Sequence, residues 1–380
     1  MKKRLIVWAL LVLLQLAVLL LPVCAQSSEA DTLPLAEWQE LLDAIPQEVA
    51  DLLPDGFFSQ DMTKVGESVA KAGTLSAVLR VIGHLTGAKI GETLALLARL
   101  CGIVLVSCAV RAFAGEKKSG TGAAFSLLTV AVILLMLLAN GGGALATLEN
   151  YFGVLRGVCV AMLPLMGALY AMGGNIGAAV ANHGMMSAFL ALLEALLSTA
   201  VLPVAGALTV FAVLDALSDK LSMRSLANLI KRSFTLGLSF LMMLLSFVLG
   251  LQTTLAKGTD TLALRTVRFA AGSFLPVVGG SISEALRTVS GSVTYLRGAV
   301  GVGGILVVLF VFLPPFLSVL LTRLAFLLSG AVAGVLSCTR EERFLSELAS
   351  IYGYFLAVIA CLFITVVFSL TLMAHCAAAV

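Results

Sequence analysis

The chain has 380 residues, of which 60% are hydrophobic and 12% charged, with a formal net charge of +3 and a mean hydropathy of +1.08. A soluble domain averages about 25% charged residues, so a soluble globular protein is excluded. Runs of about 20 apolar residues recur, each long enough to cross about 30 Å of hydrocarbon as a helix, and no strand-like alternation occurs. The sequence predicts an all-α, polytopic helical membrane protein.

The first 25 residues are typical of a signal peptide. The basic sequence MKKR precedes an apolar run from Leu5 to Leu21, and VCA before Gln26 fits a small-residue cleavage site. We therefore expect residues 1–25 to be a cleaved signal peptide. A retained first span is the alternative.

Residues 26–90 are predicted to form a small exported region of acidic, amphipathic helices. Ten of the 21 acidic residues lie between positions 26 and 73, against only two lysines, Lys64 and Lys71. One apolar face at helical spacing is formed by Leu35, Trp38, Leu41, Leu42 and Ile45. Because a region this short builds little hydrophobic core of its own, we expect it to lie on the membrane surface or to pack against partner proteins.

Residues 91–256 are predicted to contain membrane segments 1–5, with a basic loop at 215–233. The candidate spans of the whole chain are about 91–113, 124–146, 152–173, 186–214, 234–256, 299–338 and 352–376. The run 299–338 is too long for one span and contains Pro314 and Pro315, which predicts two short or kinked helices. Seven or eight membrane segments result.

The basic loops conflict with a simple alternation of these spans. A cleaved signal peptide places the acidic region outside, so the basic residues after the first span lie in the cytoplasm, as the positive-inside rule requires. The loop 215–233 and the segment 257–298 are both net positive, yet one span separates them. Either one of them breaks the rule, or one nominal span enters and leaves on the same side.

A Leu-Pro-x-x-Gly sequence occurs three times. Two copies predict helix breaks within apolar runs, at Pro164 with Gly167 and at Pro203 with Gly206. Proline removes a helical donor, and lipid cannot satisfy the carbonyl left behind. These copies predict broken or re-entrant helices that line an interior. The alternative is a plain kink repeated by chance.

The third copy lies in the charged segment 257–298. Its apolar residues follow a helical stripe that excludes Arg265 and Arg268, which predicts an amphipathic helix in the membrane interface. A break follows in the PVVGG sequence, from Pro276 to Gly280. Residues 299–380 are predicted to hold the C-terminal membrane segments.

Ionisable residues within the apolar runs are few. Arg156 and Arg323 are expected to reach an interface, whereas Glu194 lies deeper and is a candidate buried polar group. No metal-ligand, nucleophile or phosphate-binding motif occurs, so we expect no enzyme activity, no cofactor and no metal. The glycines of GVGG at 301–304 and GAVAG at 330–334 predict close helix packing.

The charged block resembles the stage III sporulation protein AE family. The match is carried by Asp260, Arg265, Arg268 and Phe269, by Pro276, Gly279 and Gly280 in FLPVVGG, and by AVGVGG at 299–304. MLPLMGALYAMGG from position 162 and LPVAGALTVFAVLDALSDKL from position 202 are similar to other blocks of that family. The resemblance covers roughly residues 30–375.

The resemblance implies a role in endospore formation, in the mother-cell membrane around the engulfed forespore. It implies membership of a channel or secretion-like complex. The implied partners are sister membrane proteins, a cytoplasmic ATPase and, indirectly, a forespore membrane protein, with a lipid bilayer and no nucleic acid. The alternative is a stand-alone secondary transporter of a small solute, which broken helices near the midplane would favour.

Overall fold

The computed structural model describes residues 40, 43–53, 68–69, 71–114, 120–139, 143–172, 176–217, 225–240, 243, 247 and 279–376. These residues form helices and turns and contain no strand, which confirms the predicted all-α class. The helices are α1 (Gln47–Ala50), α2 (Leu75–Ala114), α3 (Gly120–Ala139), α4 (Gly143–Met172), α5 (Ile176–Leu196), α6 (Leu202–Leu217), α7 (225–240), α8 (Gly279–Val335) and α9 (Thr339–Cys376). A π-helical segment, Leu197–Val201, joins α5 to α6.

Five helical stretches in the described part of the chain are long and apolar enough to cross a membrane. They are Ser76–Phe113, Ala146–Ala168, Met186–Asp215, Gly303–Val335 and Thr339–Thr371. They confirm a multi-pass helical architecture, with fewer candidate spans than the seven or eight predicted. The predicted signal peptide lies outside the described residues, as does most of the 234–256 span.

Two predicted spans differ from the observed helices. The predicted span 124–146 crosses a helix boundary, because α3 ends at Ala139, just before three consecutive glycines that weaken helix continuation. The run 299–338 is not two helices: α8 continues through Pro314 and Pro315. Buried packing holds the helix together there, since the preceding Phe312 stacks on Phe363 of α9 with ring centroids 4.2 Å apart.

The boundary between the exported region and the first span lies within one helix. α2 begins at Leu75 and passes position 91 without interruption. Forty helical residues measure about 60 Å, roughly twice the hydrocarbon thickness of a bilayer. The first span is therefore continuous with a helical extension into the region predicted as exported.

The α8–α9 hairpin forms the centre of the core. α8 from Gly303 onward and α9 are largely buried, and α2, α4 and α6 pack around them. The largest buried side chains include Phe189, Phe310, Phe326 and Phe344. Phe326 also meets Tyr352 edge-on, with ring centroids 5.0 Å apart, so aromatic contacts recur along the hairpin.

Glycines permit the closest helix contacts in this core, as the sequence predicts. A Cβ added at Gly304 would lie 2.2 Å from Cε of Met162 on α4. One added at Gly330 would lie 3.5 Å from Leu345 Cβ, and one at Gly334 would lie 3.2 Å from the Glu342 carboxyl carbon. Small residues thus let α8 approach α4 and α9.

Paired contacts give the direction of each long helix. Cys101 contacts Ser329 and Cys108 contacts Leu336, so α2 and α8 run parallel. Met186 contacts Ser369 and Val201 contacts Tyr354, so the α5–α6 segment runs antiparallel to α9. Lys231 contacts Glu347 and Phe234 contacts Tyr354, so α7 runs parallel to α9.

These directions place several chain segments at one end of the bundle, here called the turn end. It comprises the C-terminal residues of α2 and α6, the start of α7, and the α8–α9 turn at 336–338. The described ends of the predicted 215–233 loop, residues 215–217 and 225–233, therefore lie at the same end as the C-terminus of α2.

Candidate functional site

The residues that carry the charged motif lie mostly outside the described part of the chain. Asp260, Arg265, Arg268, Phe269 and Pro276 fall there, and their predicted interfacial placement stays a prediction. Gly279 and Gly280 are the first two residues of α8. Residues 279–298 are thus helical, whereas the sequence predicted a loop there.

The predicted break at Pro164 is wrong for the helix as a whole. α4 runs from Gly143 to Met172 with Pro164 inside it. The side chains around the proline are buried, and their packing keeps the helix together despite the lost donor. Gly167 causes no interruption either, and an added Cβ there would meet nothing within 4 Å.

The Pro203 region contains a local irregularity, placed on the N-terminal side of the proline. The π-helical segment Leu197–Val201 ends two residues before Pro203, and α6 contains both Pro203 and Gly206. π-Helical turns interrupt the regular hydrogen-bond ladder and are frequent at functional positions. The chain is therefore helical but distorted here, and it does not separate into two helices.

Neighbouring polypeptide satisfies part of this irregular backbone. The Tyr354 hydroxyl of α9 donates to the Val201 carbonyl at 3.4 Å, and this contact is buried. The Thr199 hydroxyl donates to the Ala195 carbonyl within the same segment. Both contacts supply hydrogen bonds that lipid cannot offer.

Glu194 is not buried within this chain. Its side chain is 48% exposed, and Oε1 accepts a hydrogen bond from Arg156 Nη1 at 2.7 Å. Arg156 is also 48% exposed and belongs to α4, so the ion pair joins two neighbouring spans. Arg156 was expected to reach an interface, but it pairs with Glu194 between two apolar helices. Arg323, also expected at an interface, lies against Gly353, where an added Cβ would be 3.1 Å from the guanidinium carbon.

Two buried carboxylates lie at the turn end, on the first turns of α9. Glu341 is fully buried, and its Oε1 accepts a hydrogen bond from Ser107 Oγ at 2.7 Å. The Arg111 guanidinium is 3.7 Å from Oε2 of the same carboxylate. Because Ser107 and Arg111 both belong to α2, Glu341 fixes the start of α9 against the end of the first span.

The second buried carboxylate, Glu347, ties α9 to α7. Lys231 Nζ lies 3.1 Å from Glu347 Oε2 and donates to Ser350 Oγ at 2.7 Å. The side chains of Lys231 and Glu347 are only 10% and 5% exposed. A charge buried this deeply needs its partner, so the pair specifies where α7 docks.

The α8–α9 turn is closed by a Schellman motif. Cys338 N–H donates to the Ala333 carbonyl and Ser337 N–H donates to the Gly334 carbonyl. Ser337 adopts a φ of 59°, the left-handed conformation that usually belongs to glycine. Burial, the hydrogen bond with Cys108 and the Glu341 charge together raise the pKa of Cys338 to about 11.

Sequence reasoning missed this turn-end cluster of Ser107, Arg111, Lys231, Glu341 and Glu347. The stretch TREERFLSEL falls between the predicted spans 299–338 and 352–376, although acidic residues after Thr339 indicate a helix start. That signal could have extended α9 to position 339. Across the described residues no group of three or more His, Cys, Asp or Glu could hold a metal ion.

Comparison with known proteins gives one family and one curated relative. A sequence profile described as stage III sporulation protein AE matches residues 59–377. Stage III sporulation protein AE of Bacillus subtilis (strain 168) is 23% identical over 297 residues, which cover 77% of this chain and 73% of that protein. No solved structure matches this chain.

Proposed function

The chain belongs to the stage III sporulation protein AE family, and on that premise we propose that it is an integral-membrane component of the channel or secretion-like complex that joins mother cell and forespore. It acts in endospore development after engulfment, in the mother-cell membrane around the forespore. Its partners are sister membrane proteins and a cytoplasmic ATPase of the same complex, and it catalyses no reaction itself.

The observation that carries this proposal is the extent of the family match. Residues 59–377 include all five of the helical stretches that, in the described part of the chain, are long enough to cross a membrane. The likeness therefore covers the membrane-embedded body as well as the charged motif. A shared body of this kind favours a shared place in the sporulating cell.

The second candidate is a stand-alone secondary transporter. An ion pair between two spans, close to a π-helical turn, is an arrangement that transporters use at their binding sites. Uptake of a solute by the purified chain in liposomes would favour this candidate. Activity that requires the sister proteins would favour the channel complex.

The test is complementation in an endospore-forming host that lacks its own stage III AE protein. We expect the full chain to restore heat-resistant spores and late forespore reporter expression, and to co-purify with sister proteins of the complex. A matched strain that carries the empty vector is the control. That control should complete engulfment and lack later forespore expression. If a well-expressed chain does not rescue this defect, the proposal is refuted.

A further inference from the structure

A cavity of about 450 Å³ lies at the end of the bundle opposite the turn end, where α2 begins. Its walls come from three parts of the chain: Leu52 just after α1, residues 71–81 before and within the first turns of α2, and Phe310 of α8. Ligand pockets in proteins have volumes of about 300–1,000 Å³. The cavity is therefore large enough for a small molecule or for the polar part of a lipid.

One side of the cavity is basic. Lys71 and Arg80 both line it, and both are exposed. Among the described residues that line the cavity none is acidic, and the first turn of α2 contains no acidic residue. In the described part of the chain Arg80 forms no ion pair. This side of the cavity therefore suits an anion.

Hydroxyl groups complete the basic side and hold it in place. The Thr74 hydroxyl donates to the Lys71 carbonyl at 2.8 Å and accepts a hydrogen bond from the Ala77 N–H at 3.4 Å. Thr74 thereby caps the start of α2 and ties residue 71 to it. The Ser76 hydroxyl donates to Thr74 Oγ1 at 3.3 Å, a long contact that it can exchange for a stronger acceptor.

The other side of the cavity is apolar. Its lining residues are Leu52, Ala72, Ala77, Val81 and Phe310. Phe310 and Ala72 are only 1% and 2% exposed, so this wall belongs to the hydrophobic core. An inorganic anion gains nothing from such a wall, whereas a hydrocarbon group is stabilised by it. The two sides together fit an anionic amphiphile.

The position of the cavity along the helices fits the headgroup layer of a membrane. Ser76 is the first residue of the apolar stretch Ser76–Phe113. Phe310 lies seven residues after the start of Gly303–Val335, which is about 10 Å of helix. Because long cationic side chains near the end of a span extend toward the headgroups, we expect Lys71 and Arg80 at that level.

The charge pattern of the chain changes at this cavity. Residues 26–73 contain ten acidic residues and two lysines, whereas residues 74–90 contain Arg80 and Lys89 and no acidic residue. A membrane surface that carries anionic lipid repels an acidic region and attracts basic residues next to a span. The cavity supplies positive charge at the point where the acidic region meets the first span.

We propose that the cavity binds the phosphate headgroup of an anionic phospholipid. Arg80 and Lys71 contact the phosphate, the Ser76 hydroxyl donates to it, and the apolar wall covers the glycerol and the first methylene groups. The bound lipid holds the acidic N-terminal region against the bilayer. The site is independent of the channel role, because it uses only residues of this chain and a lipid of its membrane.

Lipid binding by the purified full chain in detergent tests the proposal. Native mass spectrometry and thermal unfolding are measured with dioleoylphosphatidylglycerol, with zwitterionic dioleoylphosphatidylcholine and with inorganic phosphate. We expect phosphatidylglycerol to remain bound and to raise the unfolding temperature. Phosphatidylcholine should bind more weakly, and inorganic phosphate should neither stabilise the chain nor displace phosphatidylglycerol.

Three variants locate the binding. Arg80→Gln removes a charge-assisted contact and should weaken phosphatidylglycerol binding about tenfold, whereas Arg80→Lys should retain most of it. Ala77→Trp fills the cavity and keeps both cations, and it should also weaken binding. Arg99→Gln is the matched control, because Arg99 is an exposed arginine of the same helix outside the cavity, and its loss should leave binding unchanged.

Several results would overturn the proposal. Equal binding of the two lipids, or the same affinity in Arg80→Gln and Arg99→Gln, would show general surface attraction. Displacement of phosphatidylglycerol by inorganic phosphate would assign the cavity to a free anion. Unchanged binding by a folded Ala77→Trp variant would place the lipid outside the cavity. If that variant does not fold, the comparison of Arg80→Gln with Arg99→Gln decides, since substitution of an exposed arginine leaves folding nearly unchanged.

Discussion

The buried ion pair between Lys231 and Glu347 offers the sharpest test of the turn-end packing. Lys231→Met removes the ammonium and leaves the Glu347 carboxylate, 5% exposed, without that counter-charge 3.1 Å away. Removing one member of a buried pair costs about 3–5 kcal/mol of unfolding free energy. Lys231→Met with Glu347→Met removes both charges, and we expect it to recover most of that loss.

The measurement is the unfolding free energy of the purified chain in detergent, for both single variants and the double variant. Arg232→Met is the matched control, because Arg232 is the next residue and is exposed, so its loss should cost within about 0.5 kcal/mol. The cycle should yield a coupling free energy of several kcal/mol. If Lys231→Met costs no more than Arg232→Met, or if the two single effects add in the double variant, α7 does not dock through this pair.

Three further predictions follow from separate parts of the chain. Gly304→Ala places a methyl group 2.2 Å from Cε of Met162, the flexible end of that side chain, so Met162 can shift and the loss should stay below about 1 kcal/mol. Gly304→Leu is too large for that shift and should destabilise by about 1–3 kcal/mol or more; thermal unfolding of both variants checks this, and equal stability of the two would contradict it. Because the pKa of Cys338 is raised to about 11, its thiolate fraction and its alkylation rate should rise about tenfold per pH unit from pH 8 to 10. Mass spectrometry measures that rate, and a rate that stops rising near pH 8.5, about the usual pKa of a thiol, would contradict the prediction. Pro276→Ala with Gly279→Leu should impair sporulation after engulfment at unchanged protein level, and normal spore counts would show that this sequence has no functional importance.

The helical class and the glycine contacts could be predicted from sequence because both depend on local composition. Apolar runs must be helical in lipid, and the glycines of GVGG and GAVAG include the positions where α8 meets α4 and α9. The end of α3 could also be predicted from the glycine run that follows it. The high average hydropathy of residues 124–146 instead led to the prediction of one span there.

Tertiary contacts decided the features that the sequence did not reveal. Pro164, Pro314 and Pro315 each remove a helical hydrogen bond, but buried packing on either side keeps α4 and α8 continuous. Glu194 pairs with Arg156, 38 positions away, and Lys231 pairs with Glu347, 116 positions away. Such pairings depend on which helices become neighbours, and no local pattern specifies that.

The signal peptide and the positive-inside rule predict that the bundle crosses the membrane with its turn end in the cytoplasm and its N-terminal region outside. Ser225→Cys lies at the start of α7, at the turn end, and Lys71→Cys precedes α2 at the opposite end. Both are made in a version that lacks the native cysteines and are treated with a membrane-impermeant maleimide. The account predicts that the Lys71 position is modified in intact cells and the Ser225 position only after permeabilisation. Modification of both positions from the same side would contradict it.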